Sequence, residues 1–114
     1  MPRDLTLYPQ DENGDVLWKM LQDGDDLSVA REVDFAVIFP DEEAAIRFSV
    51  HLLRNEQKVS FSAYEGNDDF PWQVLVHPLM VPTHDNVAGF EALLESEAAR
   101  FEGRIDGWGC MVQD

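Results

Sequence analysis

Histidine and cysteine are the residue types in this sequence that most often carry acid–base, nucleophilic or metal chemistry. The three histidines are His51, His77 and His84, and no two of them share a spacing that pairs metal ligands on one element. The sequence therefore predicts no metal site and no cofactor. Cys110 has no basic neighbour in the sequence that would lower its thiol pKa, so we expect a small packed residue rather than a nucleophile.

Serine and aspartate could add catalytic chemistry if the fold brought them to a histidine. Ser60 or Ser62 could meet His77 and a nearby aspartate on adjacent strands. Any serine-containing sheet supplies such neighbours, however, and the sequence has no nucleophile elbow. The acidic run at residues 23–26 lacks the ordered ligands and closing glutamate of an EF-hand and is interpreted as a turn. The sequence thus predicts a protein that is not an enzyme.

The length and the cysteine count limit the class of protein. A chain of 114 residues is one domain, large enough to bury a single core without metals or disulfides. Its single cysteine excludes an internal disulfide framework and is typical of a reducing compartment. The first residues lack the apolar core of a signal peptide, and no apolar run is long enough to span a membrane. These features predict a cytoplasmic protein with no membrane partner.

The net charge of -15 is the strongest feature of the composition. Affinity for phosphate backbones comes from lysine and arginine, so this charge opposes direct binding to nucleic acid. Two interpretations of the charge remain open. The acidic surface keeps a small domain soluble, or it meets a basic protein partner.

Periodicity predicts the elements that must position these residues. Residues 1–12 have no hydrophobic period, which predicts a flexible N-terminal arm. Helices are predicted at residues 14–22, 41–56 and 83–102, and strands at residues 31–40, 58–64, 72–81 and 104–112. This order predicts an α+β fold, a ferredoxin-like sandwich preceded by a short N-terminal helix, in which a four-stranded antiparallel sheet carries two helices on one face. The first and third strands are expected to be central.

A ferredoxin-like sandwich leaves one face of its sheet open. The alternation of the strands places a mildly apolar set there, comprising Ala36, Ile38, Leu75 and His77. We expect the N-terminal helix to cover this face with Leu17 and Met20, because an intramolecular cover loses less freedom than a separate partner. Coverage by a partner is the alternative.

The final predicted strand contains the most unusual stretch of the sequence, Asp106-Gly107-Trp108-Gly109. Glycine within a strand removes packing surface, so two glycines around a tryptophan predict a bulge or a close approach by another backbone. Trp108 has two interpretations. It fills the core at the sheet edge while Asp106 bonds a neighbouring turn, or it contacts a partner directly. The first interpretation predicts that Trp108→Ala mainly destabilises the fold.

Several segments together resemble a known family. They are Gly24-Asp25-Asp26-Leu27, Glu32-Val33-Asp34-Phe35, Phe39-Pro40-Asp41-Glu42-Glu43-Ala44-Ala45, Pro82-Thr83-His84 and, above all, Asp106-Gly107-Trp108-Gly109. Across residues 15–112 the sequence resembles the family of the regulator of ribonuclease E activity B. The resemblance implies that residues 13–114 form a single RraB-like ferredoxin-like domain without catalytic activity. It also implies binding to the noncatalytic, arginine-rich scaffold region of ribonuclease E and reduced cleavage of RNA.

The leading hypothesis is a cytoplasmic, bacterial, non-catalytic acidic protein that inhibits or modulates ribonuclease E without a cofactor or metal. If the last helix packs beside the last strand, Glu91, Glu95, Asp106 and Trp108 could line one partner-binding surface. The alternative is an acidic immunity or adaptor protein that binds an unrelated basic protein, because such a protein needs only the same charge.

Overall fold

The chain folds as a short helix followed by a β-α-β-β-α-β core. The structure, a computed structural model, describes residues 3–110. Its elements are α1 (Glu12–Gln22), β1 (Arg31–Phe39), α2 (Glu42–Arg54), β2 (Val59–Ala63), β3 (Trp72–Val76), β4 (Leu79–Met80), α3 (His84–Ala99) and β5 (Arg104–Cys110). Met111 and Val112, predicted as the end of the last strand, lie outside the described residues, as do the first two residues of the predicted arm.

Each helix begins at a side chain that caps its first turn. The side chains of Asp11, Asp41 and Thr83 accept hydrogen bonds from the backbone N–H groups of Gly14, Ala44 and Asn86. These caps satisfy amides that have no partner within the helix, which fixes where α1, α2 and α3 start. The caps predicted at Asp41 and Thr83 are confirmed, and Asp11 starts α1 two residues earlier than the hydrophobic period indicated.

The sheet is antiparallel, with β1 and β3 at its centre, as predicted. β3 pairs with β1 on one side and with β2 on the other, and β5 pairs with the remaining edge of β1. This arrangement confirms the α+β, ferredoxin-like sandwich. The structure has five strands rather than the four that were predicted, because the strand expected at residues 72–81 is divided into β3 and β4.

The division into β3 and β4 is local. Arg31 pairs with Met80 in the same register that pairs Phe35 with Val76, so both strands continue one ladder along β1. Pro78 lies between them and has no backbone N–H to donate, but its carbonyl accepts from the N–H of Val33. The proline therefore divides the strand into two parts without displacing the chain from the sheet.

The core lies between one face of the sheet and the helices α2 and α3. Alternate residues of β1 supply its centre, and Val33, Phe35, Val37 and Phe39 are all fully buried. Aromatic rings extend it outward, since Phe35 packs against Phe90 of α3 and Phe39 against Phe48 of α2. Tilted ring pairs of this kind add about 1 kcal/mol each beyond the area that they bury. We call this face of the sheet the helix side and the other face the open side.

The N-terminal helix also packs on the helix side, so the expectation that it covers the open side is wrong. Asp11 and Asn13 contact α3 directly, through His84 Nε2 and Glu91 Oε1 at 2.8 and 3.0 Å, and Leu17 is fully buried. The physical reason is that α1 finds on α3 both a place to bury its apolar residue and partners for its polar ones.

The loop between β2 and β3 covers one end of the open side instead. The centroid of the Phe70 ring of this loop lies 4.2 Å from the guanidinium carbon of Arg104, and the Tyr64 hydroxyl lies beside the Asp106 carboxylate. Ile38, which faces the open side beside Arg104, is only 1% exposed. Loop residues from one edge of the sheet and β5 residues from the other therefore close over this end.

The segment before α1 makes specific contacts within its described part. Arg3 donates from Nε to the Tyr8 carbonyl and from Nη2 to the Pro9 carbonyl and to Asp15. The flexibility expected of residues 1–12 stays a prediction. Within residues 3–110, no helix combines the length and the apolarity needed to cross a membrane.

Candidate functional site

The signature tryptophan joins β5 to α1 and α3 on the helix side. Trp108 Nε1–H donates to Asn13 Oδ1 at 2.8 Å, and Asn13 Nδ2–H donates to Glu91 Oε1 at 3.0 Å. The tryptophan is half-buried and packs against the hydrophobic core. We call Asn13, Glu91 and Trp108 the tryptophan corner. Its hydrogen bonds tie three elements together through one asparagine, which is the kind of contact that fixes a helix in place.

The glycines around Trp108 allow β5 to change register. The pairing of β5 with β1 shifts between Ala36 and Val37, so Asp106 is an extra residue, as in the predicted bulge. Gly107 has a φ of 143°, a conformation that L side chains rarely adopt. The bulge thereby turns Trp108 towards the helices, opposite Phe35 in the register.

Asp106 makes its contact on the other side of the sheet. The Tyr64 hydroxyl lies beside its exposed carboxylate, and this interaction, followed by desolvation, raises the pKa of Tyr64. Tyr64 continues the alternation of Ser60 and Ser62, which face the open side. The aspartate of the signature therefore faces the β2–β3 loop rather than the helices.

The four predicted partner-binding residues thus occupy two places. Glu91 and Trp108 meet through Asn13 in the tryptophan corner, and Glu95 lies one turn further along α3, where it is exposed. Asp106 faces the open side. Sequence reasoning missed Asn13, because an asparagine in the first turn of a helix gives no signal of a contact 95 residues away.

A buried ion pair closes the loop between α1 and β1. Arg31 Nη1 lies 2.9 and 2.8 Å from the two carboxylate oxygens of Asp25, and both side chains are almost completely buried. The same guanidinium donates to the carbonyls of Val29 and Asp26. Sequence reasoning interpreted the acidic run here as a turn and did not foresee that one aspartate would bind the first residue of β1.

A second polar group lies on the open side, around His77. Its Nδ1 lies 2.7 Å from Asp34 Oδ1 and its Nε2 lies 2.8 Å from Ser60 Oγ. The meeting of Ser60, His77 and an aspartate, raised from the sequence as a coincidence of neighbouring strands, is thus present. Glu32 joins the group with its partner Lys58, whose Nζ lies 2.8 Å away. The clue to this group was the strand register, which places His77 opposite Asp34.

The His77 group does not form a nucleophilic site of the serine hydrolase type. Ser60 lies within a regular strand and is exposed, rather than on the sharp strand-to-helix turn that presents a nucleophile. A helix N-terminus could stabilise an oxyanion here only if it lay on the open side. The described helices pack on the other side of the sheet. The arrangement can hold protons and cations, and it lacks the geometry for acyl transfer.

Cys110 is a packed residue in this fold. It lies opposite Val33 in the register and packs against the core. Burial raises the pKa of its thiol, and the nearby Arg31 offsets this only in part. A thiol that is protonated at neutral pH is a poor nucleophile.

The basic side chains are mostly paired with carboxylates of the same chain. The pairs are Arg3–Asp15, Lys19–Asp23, Arg31–Asp25, Arg47–Glu43, Lys58–Glu32 and Arg100–Glu97. With 23 acidic and 8 basic side chains in the sequence, most carboxylates are left without a basic side chain of their own. The surface is therefore strongly acidic, and its field attracts basic molecules.

These features define the class of protein as a small acidic sandwich of the ferredoxin-like kind, whose signature residues serve to hold its elements together. The chain belongs to the family described as regulator of ribonuclease activity B, whose sequence profile matches residues 10–110. The family regulates ribonuclease activity and is not a family of catalysts. No curated protein matches the chain significantly.

Proposed function

We propose that this protein lowers RNA cleavage by ribonuclease E by binding its noncatalytic, arginine-rich scaffold region. The observation that carries the proposal is the excess of unpaired carboxylates on a member of a ribonuclease-regulator family. Opposite charge on two partners raises their association rate and selects against other acidic proteins. The protein acts as a cytoplasmic binding module, with no chemistry of its own.

The binding surface that we propose centres on α3. Glu95 is exposed there, one turn beyond Glu91, and Glu12 is exposed on α1 next to the Asn13 that bonds Glu91. Among residues 3–110, none of these three carboxylates forms an ion pair with a lysine or arginine, and Glu91 accepts a hydrogen bond from the side-chain amide of Asn13. Arginine binds carboxylates with two parallel hydrogen bonds, so a row of them suits an arginine-rich segment. Trp108 supports this surface from below by holding α1 against α3.

The test is the affinity of the whole protein for the arginine-rich scaffold of its own host's ribonuclease E, measured across a salt titration. We expect binding that weakens steeply as salt rises and that reduces RNA cleavage in the same samples. Glu95→Lys should weaken binding by about tenfold, because a repulsive charge replaces an attractive one. Glu65→Lys is the matched control, since it makes the same charge change at an exposed position in the β2–β3 loop.

Two results would contradict parts of the proposal. No binding even at low salt means that the scaffold is not the partner, and the search then turns to an unrelated basic protein, as for an immunity or adaptor protein. Equal weakening by Glu95→Lys and Glu65→Lys means that binding depends on net charge, and the assignment to α3 is wrong.

A further inference from the structure

Three side chains of the kinds that bind metal ions meet on the open side of the sheet. Glu32, Asp34 and His77 each offer one ligand atom, and these atoms all lie within 4.8 Å of one another. Glu32 and Asp34 are two residues apart on β1 and so share a face, and His77 lies opposite Asp34 in the common register of β3 and β4. The group therefore comes from the pairing of β1 with the segment that joins β3 to β4, at the centre of the sheet.

The backbone holds His77 firmly in this position. Its N–H donates to the Lys58 carbonyl at 2.9 Å, and the next residue, Pro78, accepts from the N–H of Val33 at 2.9 Å. A residue that precedes proline is confined to extended conformations, which adds to the restraint. The imidazole itself is only 11% exposed. A ligand that is fixed before binding loses little conformational freedom when a metal ion arrives.

The charges of the group favour a cation. Two carboxylates lie close together, and one of them, Glu32, is already bound to the ammonium group of Lys58. This ion pair is half exposed on both sides, at 66% for Lys58 and 48% for Glu32, so it contributes little to stability and exchanges readily. A divalent ion carries twice the charge of the lysine and can contact both carboxylates together.

We propose that Glu32, Asp34 and His77 form a binding site for a first-row divalent metal ion, with Zn²⁺ the best match. One imidazole nitrogen and two carboxylate oxygens suit Zn²⁺, whereas Mg²⁺ prefers oxygen ligands and retains its water. Neighbouring ligands of a tetrahedral Zn²⁺ lie about 3.4 Å apart. His77 Nδ1 and Asp34 Oδ1, which are 2.7 Å apart, must therefore separate slightly to admit the ion, and the exposed Glu32 side chain can rotate to complete the set. Water completes the coordination.

Ser60 has a positioning role in this proposal. When Nε2–H of His77 donates to Ser60 Oγ, the lone pair of Nδ1 points at the carboxylates, where the metal ion binds. Metal-binding histidines commonly donate their second ring N–H in this way, and loss of that partner costs about 10- to 100-fold in metal affinity. The site lies on the opposite side of the sheet from α3, so the proposal does not depend on the proposed function.

The experiment is calorimetric titration of the whole, chelator-treated protein with Zn²⁺, combined with NMR of the imidazole resonances. We expect one ion per chain and a shift of the His77 resonances without comparable shifts at His51 and His84. His77→Gln and Asp34→Asn should each weaken binding by at least about tenfold. His84→Gln is the matched control, because His84 also lies 2.8 Å from an aspartate, Asp11. This variant should bind Zn²⁺ as tightly as the parent protein does.

Lys58→Met supplies a test in the opposite direction. Removal of the competing ammonium group should tighten Zn²⁺ binding several-fold, and it leaves the three ligands in place. The proposal is overturned if no Zn²⁺ binds, if several weak ions bind without regard to His77, or if Lys58→Met weakens binding. Melting curves identify any variant that fails to fold, and in that case the remaining variants decide the outcome.

Discussion

The two sides of the sheet treat their polar groups differently. On the helix side, Arg31 binds Asp25 in a pair that is nearly free of solvent, and Trp108 donates to Asn13 beneath α1. On the open side, the contacts of Glu32, Asp34 and His77 are of similar length, but both carboxylates are about half exposed to water while the imidazole is mostly buried. Distances alone do not separate the two sets.

Exposure decides what each set can do. A buried charge that loses its partner has no water to replace it, so the buried pair is structural. An exposed charge can exchange its partner for water or for a ligand at little cost, so it is available for binding. The buried groups of the helix side should therefore respond to mutation with loss of stability, and the exposed groups, on the open side and on the outer surface of α3, with loss of binding.

The largest expected difference concerns the two ion pairs. Asp25→Ala leaves the Arg31 guanidinium buried without its carboxylate and should destabilise the fold by about 3–5 kcal/mol. Glu32→Ala removes the partner of Lys58 at the surface and should cost less than about 1 kcal/mol. Urea unfolding of the two variants, without added metal, measures both values.

A double variant sharpens this test. Asp25→Ala combined with Arg31→Met removes both charges and should recover part of the stability, because no unpaired charge then remains in the interior. Recovery is incomplete, since Arg31 also binds the carbonyls of Val29 and Asp26. If Asp25→Ala costs no more than Glu32→Ala, burial does not distinguish the two sides and the comparison fails.

The second expected effect concerns Trp108. Trp108→Ala should destabilise the fold by about 2–3 kcal/mol, less than a fully buried tryptophan, because this one is half-buried. Trp108→Phe keeps a ring against the core but loses the hydrogen bond to Asn13, at a cost of about 1 kcal/mol. Thermal unfolding of both variants measures the two contributions separately.

The direct-contact interpretation of Trp108 makes the opposite prediction. If Trp108→Ala leaves the melting temperature unchanged and abolishes binding to the basic partner, the tryptophan belongs to the interface. Asn13→Ala is the control, since it leaves the indole in place while removing the hydrogen bonds of Asn13 to Trp108 and Glu91. We expect it to cost at least as much stability as Trp108→Phe, because it removes two hydrogen bonds rather than one.

The fold was largely predictable from the sequence because periodicity and caps are local signals. The alternation of Val33, Phe35, Val37 and Phe39 marked the central strand, and Asp41 marked the start of α2. The position of α1 was not predictable in this way. It depends on contacts between Asn13 and residues far along the chain, and a hydrophobic period shows only that a helix has a buried face.

The open-side group shows a similar limit. The sequence placed His77 on that face and suggested that serine and aspartate could meet it, but it did not identify Glu32 or Lys58 as neighbours. Their positions follow from the register between strands, which a shift of one residue would have reversed. Counting histidine spacings along the chain cannot detect a site whose ligands come from two strands.

The smallest expected effect concerns an exposed residue on the helix side. Asp11 caps α1 through the N–H of Gly14 and also contacts His84 Nε2 at 2.8 Å. Asp11→Ala removes the cap and should lower the melting temperature by only a few degrees. Asp11→Asn keeps a capping oxygen and should change stability less at neutral pH.

The pH dependence separates the charge of Asp11 from its capping geometry. The hydrogen bond from Gly14, followed by the contact with His84, lowers the pKa of Asp11 below its ordinary value of 3.8. The Asp11 carboxylate has a lower pKa in the folded state than in the unfolded state. The stability that it contributes is therefore present above the ordinary value and is lost as the pH falls through the folded pKa. Melting curves recorded between pH 5 and about pH 2 should therefore show that acid destabilises Asp11→Asn less than it destabilises the parent protein. An unchanged acid profile would mean that the Asp11 charge does not stabilise α1, and that the capping geometry alone fixes the start of the helix.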